Sequence, residues 1–179
     1  MNYKKKLFIF QLVKINHNHK LVITMKVWII HDSTYGNGKK IAETIGKAFE
    51  KKLDVKISHV KDVTPKQVID DSPDVLVIGT PVKAFMTSVK SKGFIRGLKS
   101  QLKKANKSIK FGVSFVTHAM PTKGVSFQAN RFNKILGKTV TNVYPEWLSG
   151  WVAEAKGPLK DGVIEEIQNK SKDILNWIK

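Results

Sequence analysis

The sequence of 179 residues contains no cysteine, which excludes disulfide bonds, iron–sulfur clusters held by thiolates and any thiol nucleophile. Any redox chemistry would therefore need a bound cofactor. Long apolar runs are also missing, because no stretch approaches the ~20 residues that a membrane-spanning helix requires. Together these two absences predict a soluble protein of a reducing cytoplasm.

Acidic residues are absent from a long central part of the chain. The formal net charge is +18, and residues 75–145 contain 13 lysines and arginines but no aspartate or glutamate. Solvated helix faces account for some of these cations. A field of one sign and this size also attracts anions and acidic partners.

The first 24 residues differ from the rest, with five lysines, no acid and a short apolar patch at residues 7–13. Gln11 interrupts the patch and no small-residue cleavage site follows it, so the segment is not typical of a signal peptide. We expect residues 1–24 to be a basic leader outside the fold and translation to begin at Met25. Residues 25–179 are enough for one well-cored domain.

Apolar runs and amphipathic segments alternate along the chain, and this alternation predicts an α/β fold. The first strand, Lys26–His31, contains a continuous apolar run at residues 27–30, as expected of a parallel strand covered on both faces. The second, residues 54–60, alternates and indicates an edge strand. Further strands are expected at residues 74–79, 109–116 and 139–151. With right-handed crossovers they give a three-layer α/β/α sandwich around a five-stranded parallel sheet of order 2-1-3-4-5.

Helical spacing predicts which side chains face the core. The helix near residues 125–136 is expected to bury Phe127, Phe132 and Leu136. Thr64 is the expected cap of a short helix with Pro65 in its first turn, and Asp161 the expected cap of the last helix.

A glycine-containing loop, Ser33-Thr34-Tyr35-Gly36-Asn37-Gly38, joins the first strand to the first helix. Such a turn leaves the first helical N–H groups unpaired, with the positive end of the helix dipole behind them, and it is a candidate phosphate cradle. Hydroxyl groups at positions 33–35 would add donors. The loop lacks both the Gly-Lys-Ser/Thr ending of nucleotide triphosphatases and the three spaced glycines of dinucleotide binders. An ordinary strand-to-helix turn is the alternative interpretation.

The loop resembles the phosphate loop of flavodoxins, Thr/Ser-x-Thr-Gly-Asn-Thr. Ser33, Gly36 and Asn37 match this pattern, whereas Tyr35 and Gly38 replace two hydroxyl residues. The resemblance extends over nearly all of the chain from Met25 onward. It includes residues 157–162, Gly-Pro-Leu-Lys-Asp-Gly, which are similar to a segment of small archaeal and bacterial flavodoxin-domain proteins.

The resemblance implies a flavodoxin-like fold that holds FMN noncovalently between loops after three strands. Residues 80–86 resemble the first flavin loop, with Phe85 as the candidate for stacking on the ring. Residues 117–124 correspond to the second flavin loop, although His118 and Met120 stand where flavodoxins often have a tyrosine and acids. The implied cofactor-binding residues are Ser33, Thr34, Tyr35, Gly36, Asn37, Gly38, Thr80, Pro81, Val82, Lys83, Ala84, Phe85, Thr117, His118, Ala119 and Met120.

Other chemistry has little support in the sequence. The five histidines show no metal-ligand spacing, and no Gly-x-Ser-x-Gly motif surrounds a serine, so we predict no metal site and no catalytic residue. His31, at the end of the first strand, is expected either to reach a phosphate or flavin edge or to be a satisfied histidine under the loop.

The predicted function is electron transfer, or the reduction of a small acceptor such as a quinone, through bound FMN. The expected partner is a redox protein, acidic because this chain is basic, or a small-molecule acceptor. The alternative is a flavodoxin fold without flavin that binds a polyanion such as nucleic acid. Base stacking would need aromatic residues between the lysines, whereas those of the basic region show core spacing, namely Phe94, Phe111, Phe115, Phe127 and Phe132. An anionic membrane surface is a third candidate partner.

Overall fold

The computed structural model describes residues 24–154 and 156–179. The predicted leader therefore lies, except for Thr24, outside the described residues. Within the described part, the strands are β1 (Lys26–His31), β2 (Asp54–His59), β3 (Val75–Lys83), β4 (Met86–Thr87), β5 (Phe111–His118), β6 (Asn142–Val143) and β7 (Leu148–Trp151). The helices are α1 (Asn37–Phe49), α2 (Pro65–Asp71), α3 (Val89–Ala105), α4 (Thr122–Leu136) and α5 (Val163–Trp177).

The sheet has the order β2-β1-β3-β5-β6, and all of these pairs are parallel. Strand β7 also pairs parallel with β5, whereas β4 pairs antiparallel with β3. Because β5 is the fourth predicted strand and β6 and β7 together are the fifth, the predicted order 2-1-3-4-5 is confirmed. The fifth strand is split at Pro145, which has no backbone N–H to donate to a ladder.

Two apolar cores, one on each face of the sheet, make the three-layer sandwich. Ile29 of β1, Ile45 of α1 and Ile167 of α5 belong to the core on one face. Ile78 of β3 and Ile95 of α3 belong to the core on the other face, which α2 and α4 also cover. Parallel strands that are buried on both faces need the continuous apolar runs seen in β1 and β3. No helix in the described ranges is long and apolar enough to span a bilayer.

Some helix details differ from the sequence predictions. The Thr64 cap is confirmed, because its hydroxyl accepts a hydrogen bond from the Gln67 N–H and the Gln67 side chain returns to Thr64. The Asp161 prediction is wrong: Gly162, at φ 80°, is the N-cap of α5. Phe127 is also not a core residue, since its side chain is 73% exposed while Val125 and Ala129 on either side are buried.

Candidate functional site

The loops after β1, β3 and β5 meet at one edge of the sheet and enclose a cleft. Because these three strands are parallel and adjacent, their carboxyl ends lie together, and the strand order reverses between β1 and β3. The cleft has a volume of about 410 Å³. All of the residues predicted as cofactor-binding line it except Gly36 and Thr80, and Asp32 and Val152 line it in addition.

The loop at residues 33–38 leads directly into α1. Gly36 is the N-cap in a left-handed conformation (φ 85°), and no side chain caps the helix. The first N–H to bond within the helix is that of Lys40, which donates to the Gly36 carbonyl at 2.9 Å. The N–H groups of the preceding residues therefore lack intrahelical acceptors and remain free for an anion. Gly38 allows the loop to close, since a Cβ there would lie 3.3 Å from the Ser33 Cβ.

Asn37 ties this loop to the segment before α5. Its Nδ2 donates a 2.7 Å hydrogen bond to the carbonyl oxygen of Gly157, 120 residues away. The side-chain amide is thus used to hold two loops together. Asn37 and Gly157 both fall in the motifs that resemble flavodoxins, but no sequence pattern indicated a hydrogen bond between them. Asn37 lines the cleft as a positioning residue.

Lys83, the last residue of β3, brings a cation to the side of the cleft formed by the loop at residues 33–38. Its Nζ donates to Thr34 Oγ1 at 3.1 Å and lies 4.9 Å from the centre of the Tyr35 ring. The Lys156 Nζ lies 6.0 Å from the same ring. Two ammonium groups therefore converge on Tyr35 through cation–π contacts, leaving positive charge next to the unpaired helix N–H groups.

Residues 83–86 form a tight hairpin at the mouth of the cleft. Val82 pairs with Thr87 and Lys83 with Met86, so Ala84 and Phe85 form a two-residue turn. Both have positive φ, 46° and 60°, a conformation that favours glycine and strains other residues. The Phe85 side chain is 66% exposed at the rim. The sequence had predicted a loop from position 80 onward, and this was wrong, because β3 continues to Lys83.

Thr80 does not line the cleft because it braces the hairpin from below. Its side chain is buried, and its Oγ1 accepts a hydrogen bond from the Ser88 N–H at 3.0 Å. The contact fixes the chain where β4 leads into α3.

His118, at the end of β5, supports the third loop from beneath. Its Nδ1 lies 2.6 Å from the Met120 carbonyl oxygen and its Nε2 lies 2.8 Å from Ser149 Oγ. Because a carbonyl can only accept, Nδ1 carries the proton and Nε2 accepts from the Ser149 hydroxyl. Burial lowers the pKa of His118, although the hydrogen bond to Met120 acts in the opposite direction. The neutral ring lies nearly parallel to that of Trp151 and holds the loop in shape.

Two buried polar side chains, those of His31 and Asp32, lie at the end of β1 next to the loop at residues 33–38. Asp32, which sequence reasoning missed, is buried and its Oδ2 accepts from Ser91 Oγ at 3.2 Å. An acid that directly follows an apolar strand was the signal that could have identified it. His31 does not line the cleft, and in the described structure its buried Nδ1 has no hydrogen-bond partner, so neither prediction for it is confirmed. It packs edge-on against His59 at 5.2 Å, and burial and then the neighbouring His59 lower its pKa.

Comparisons with known proteins bear on the fold. No family model matches the sequence, and no curated protein matches it. A flavodoxin from the domain Archaea is 20% identical, with a TM-score of 0.64 over 86% of this chain and 99% of that chain. A flavodoxin, WrbA-like protein from Agrobacterium tumefaciens is 14% identical, with a TM-score of 0.68 over 87% of this chain and 98% of that chain.

A longer protein also contains this fold. Rubredoxin oxygen:oxidoreductase from Desulfovibrio gigas is 17% identical, with a TM-score of 0.63 over 86% of this chain, but this chain covers only 36% of that one. These similarities show that the chain has a flavodoxin-like fold.

Proposed function

We propose that the cleft binds FMN noncovalently and that the protein acts in electron transfer or in flavin-dependent reduction of a small acceptor. The observation that carries this proposal is that three strand-end loops form one cleft with an uncapped helix N-terminus at one end and apolar walls at the other. Its volume falls within the roughly 300–1,000 Å³ of cofactor and ligand sites. The flavodoxins among the structural neighbours support the same function.

The groups at the phosphate-loop end fit a phosphate. They comprise the unpaired N–H groups at the start of α1, the Ser33 hydroxyl and the Lys83 ammonium group. Among the described residues that line the cleft, Asp32 alone carries a carboxylate, and it accepts a hydrogen bond from the buried Ser91. Donors and positive charge therefore predominate where a phosphate would lie.

The other end of the cleft fits a flat aromatic ring. Pro81, Val82 and Phe85 come from the β3–β4 side, whereas Ala119 and Met120 come from the loop after β5. When bound, the flavin supplies one- and two-electron redox chemistry. The apolar side chains would exclude water and orient the ring, and His118 would hold the second loop in position through its bond to the Met120 carbonyl.

The proposed redox partner carries an acidic surface, and the proposed location is the cytoplasm. The elements that border the cleft from β3 to α4 belong to the region that contains 13 basic residues and no acid. Such a surface accelerates encounter with an acidic partner at low ionic strength.

Nucleic-acid binding without flavin is less well supported. Of the five phenylalanines in the basic region with predicted core spacing, four are buried, and these cannot stack on bases: Phe94, Phe111, Phe115 and Phe132. Among those five, only Phe127 is exposed in the described structure and could stack on a base. A colourless protein with steeply salt-dependent DNA binding would favour this alternative.

Titration with FMN tests the proposal. Quenching of flavin fluorescence should saturate at submicromolar FMN, and Gly38→Val should weaken binding at least tenfold, because its side chain would push against Ser33 where the loop closes. Gly93→Val is a matched control, because Gly93 is exposed on α3 and a Cβ there meets nothing. Absence of saturable quenching, or equal losses in the two variants, would argue against the cleft as the flavin site.

A further inference from the structure

Several exposed large apolar side chains belong to elements that begin or turn at the edge of the sheet that carries the cleft. In the described part of the chain these are Tyr35, Phe85, Met86, Val89 and Phe127. Met86 follows the hairpin turn and is 61% exposed, and Val89 begins α3 and is 78% exposed. The hairpin packs on α4 through Val82, Val125 and Ala129. All of these elements begin or turn at the carboxyl ends of β1, β3 and β5.

Basic side chains alternate with these apolar ones. On α4, Lys123, Phe127 and Arg131 are spaced four residues apart, so they lie along one side of the helix, and all three are exposed. On α3, the exposed Lys90 follows Val89. None of the elements β3, β4, α3 and α4 contains an acid. We define Met86, Val89, Lys90, Lys123, Phe127 and Arg131 as the apolar–basic rim.

We propose that the apolar–basic rim docks the protein on an anionic lipid surface. Its cations match the negative potential of a membrane with acidic headgroups, and its apolar side chains enter the boundary between headgroups and acyl chains. This proposal goes beyond flavin binding and does not depend on it, because none of the six rim residues lines the cleft.

The type of apolar side chain favours lipid over other polyanions. Met86 and Val89 have no aromatic face, so single-stranded nucleic acid would leave them unused. The exposed side chains also come from a hairpin and from the outer faces of two helices. Fluid acyl chains can surround separate side chains of this kind, whereas a protein partner would need a complementary pocket for each.

Vesicle flotation of the full chain tests this proposal. We expect binding to phosphatidylcholine vesicles that contain about 30 mol% phosphatidylserine, weak binding to pure phosphatidylcholine, and loss of binding at high salt. Lys123→Gln with Arg131→Gln should weaken binding about 30-fold, as expected when two cations leave a membrane surface. Met86→Ser with Phe127→Ser should weaken it about tenfold or more.

The matched control is Lys51→Gln with Lys52→Gln. It removes the same charge, but these exposed lysines follow the end of α1 at the opposite edge of the sheet. The control should change binding less than about twofold if the rim forms the contact. The melting temperature should stay unchanged in every variant, and vesicle binding is measured without added flavin, which separates this result from the fate of the flavin proposal.

Several results would overturn the proposal. Equal losses of vesicle binding in the rim and control variants would show that net charge alone attracts the protein to the vesicle. Binding that survives loss of the rim charges or of the rim apolar side chains would place the contact elsewhere in the chain. Binding to a single-stranded oligonucleotide that depends on Phe127, without binding to vesicles, would assign the rim to nucleic acid.

Discussion

Lys83 Nζ donates a hydrogen bond to Thr34 Oγ1 at 3.1 Å and so joins the hairpin after β3 to the loop at residues 33–38 after β1. The two residues are 49 positions apart in the sequence. The contact places a cation from one side of the cleft next to donors from the other. Under the proposed function, Lys83 supplies a donor that the loop at residues 33–38 lacks, because Tyr35 and Gly38 stand in place of hydroxyl residues.

Lys83→Met should weaken the binding of FMN about tenfold and change riboflavin binding little, because riboflavin lacks the phosphate. A hydrogen bond from a charged group is worth about 1.5–3 kcal/mol, and exposure of Lys83 reduces this toward the lower end. Fluorescence titrations with both flavins measure the difference. Lys90→Met serves as a control of equal charge. Equal losses for FMN and riboflavin would rule out a contact between Lys83 and the phosphate.

Asn37→Ala should destabilise the protein by about 1–2 kcal/mol, since it removes the hydrogen bond to the Gly157 carbonyl and leaves that acceptor without its protein partner. Urea denaturation measures the change. Asn130→Ala, at an exposed position on α4, should change the free energy of unfolding by less than about 0.5 kcal/mol. A similar small change for Asn37→Ala would show that the two loops do not depend on this bond.

Ala84→Gly and Phe85→Gly should separate backbone strain from side-chain function. Glycine adopts a left-handed conformation without steric strain. Each substitution should therefore lower the free-energy cost of forming the turn by about 1 kcal/mol. We expect Ala84→Gly to stabilise the protein and leave FMN affinity nearly unchanged. Phe85→Gly should lower FMN affinity severalfold, because it removes the exposed ring at the mouth of the cleft. Equal FMN affinities of the two variants would contradict a stacking role for Phe85.

Stability should fall as the pH drops below about 6.5, the pKa of histidine in an unfolded chain. Burial lowers the pKa of both His31 and His118 in the folded protein. Between the folded and unfolded pKa values the unfolded chain binds more protons, so the free energy of unfolding decreases with falling pH. This contribution is fully present above pH ~6.5 and is lost below it.

Replacing both histidines with asparagine should flatten the pH dependence between about pH 7 and 5, even if the double variant is less stable overall. Urea denaturation at several pH values gives the slope for each protein. An unchanged slope would show that other groups titrate in this range.

Much of the fold could be predicted from the sequence because it depends on local patterns. The apolar runs of β1 and β3 predicted central parallel strands, and the alternating β2 predicted an edge. Once the strand order is known, the three loops must meet at one edge, and the cleft follows. The positions that line it were therefore largely accessible to sequence reasoning.

The features that were missed depend on contacts between distant residues or on unfavoured conformations. Nothing local links Asn37 to Gly157. The hairpin turn was not predicted from the sequence because Ala84 and Phe85 stand where such a turn normally has glycine or asparagine. Phe127 could have been placed correctly, since Val125 and Ala129 define a buried side of α4 from which it points away.

The most direct test of the central claim is gel filtration of the full chain mixed with excess FMN, followed by an absorption spectrum of the protein peak. We predict that FMN elutes with the protein at one molecule per chain, with its fluorescence quenched, and that Gly38→Val elutes largely free of flavin. A protein peak without flavin absorption, from a folded chain at micromolar FMN, would contradict the claim that the cleft is a flavin site.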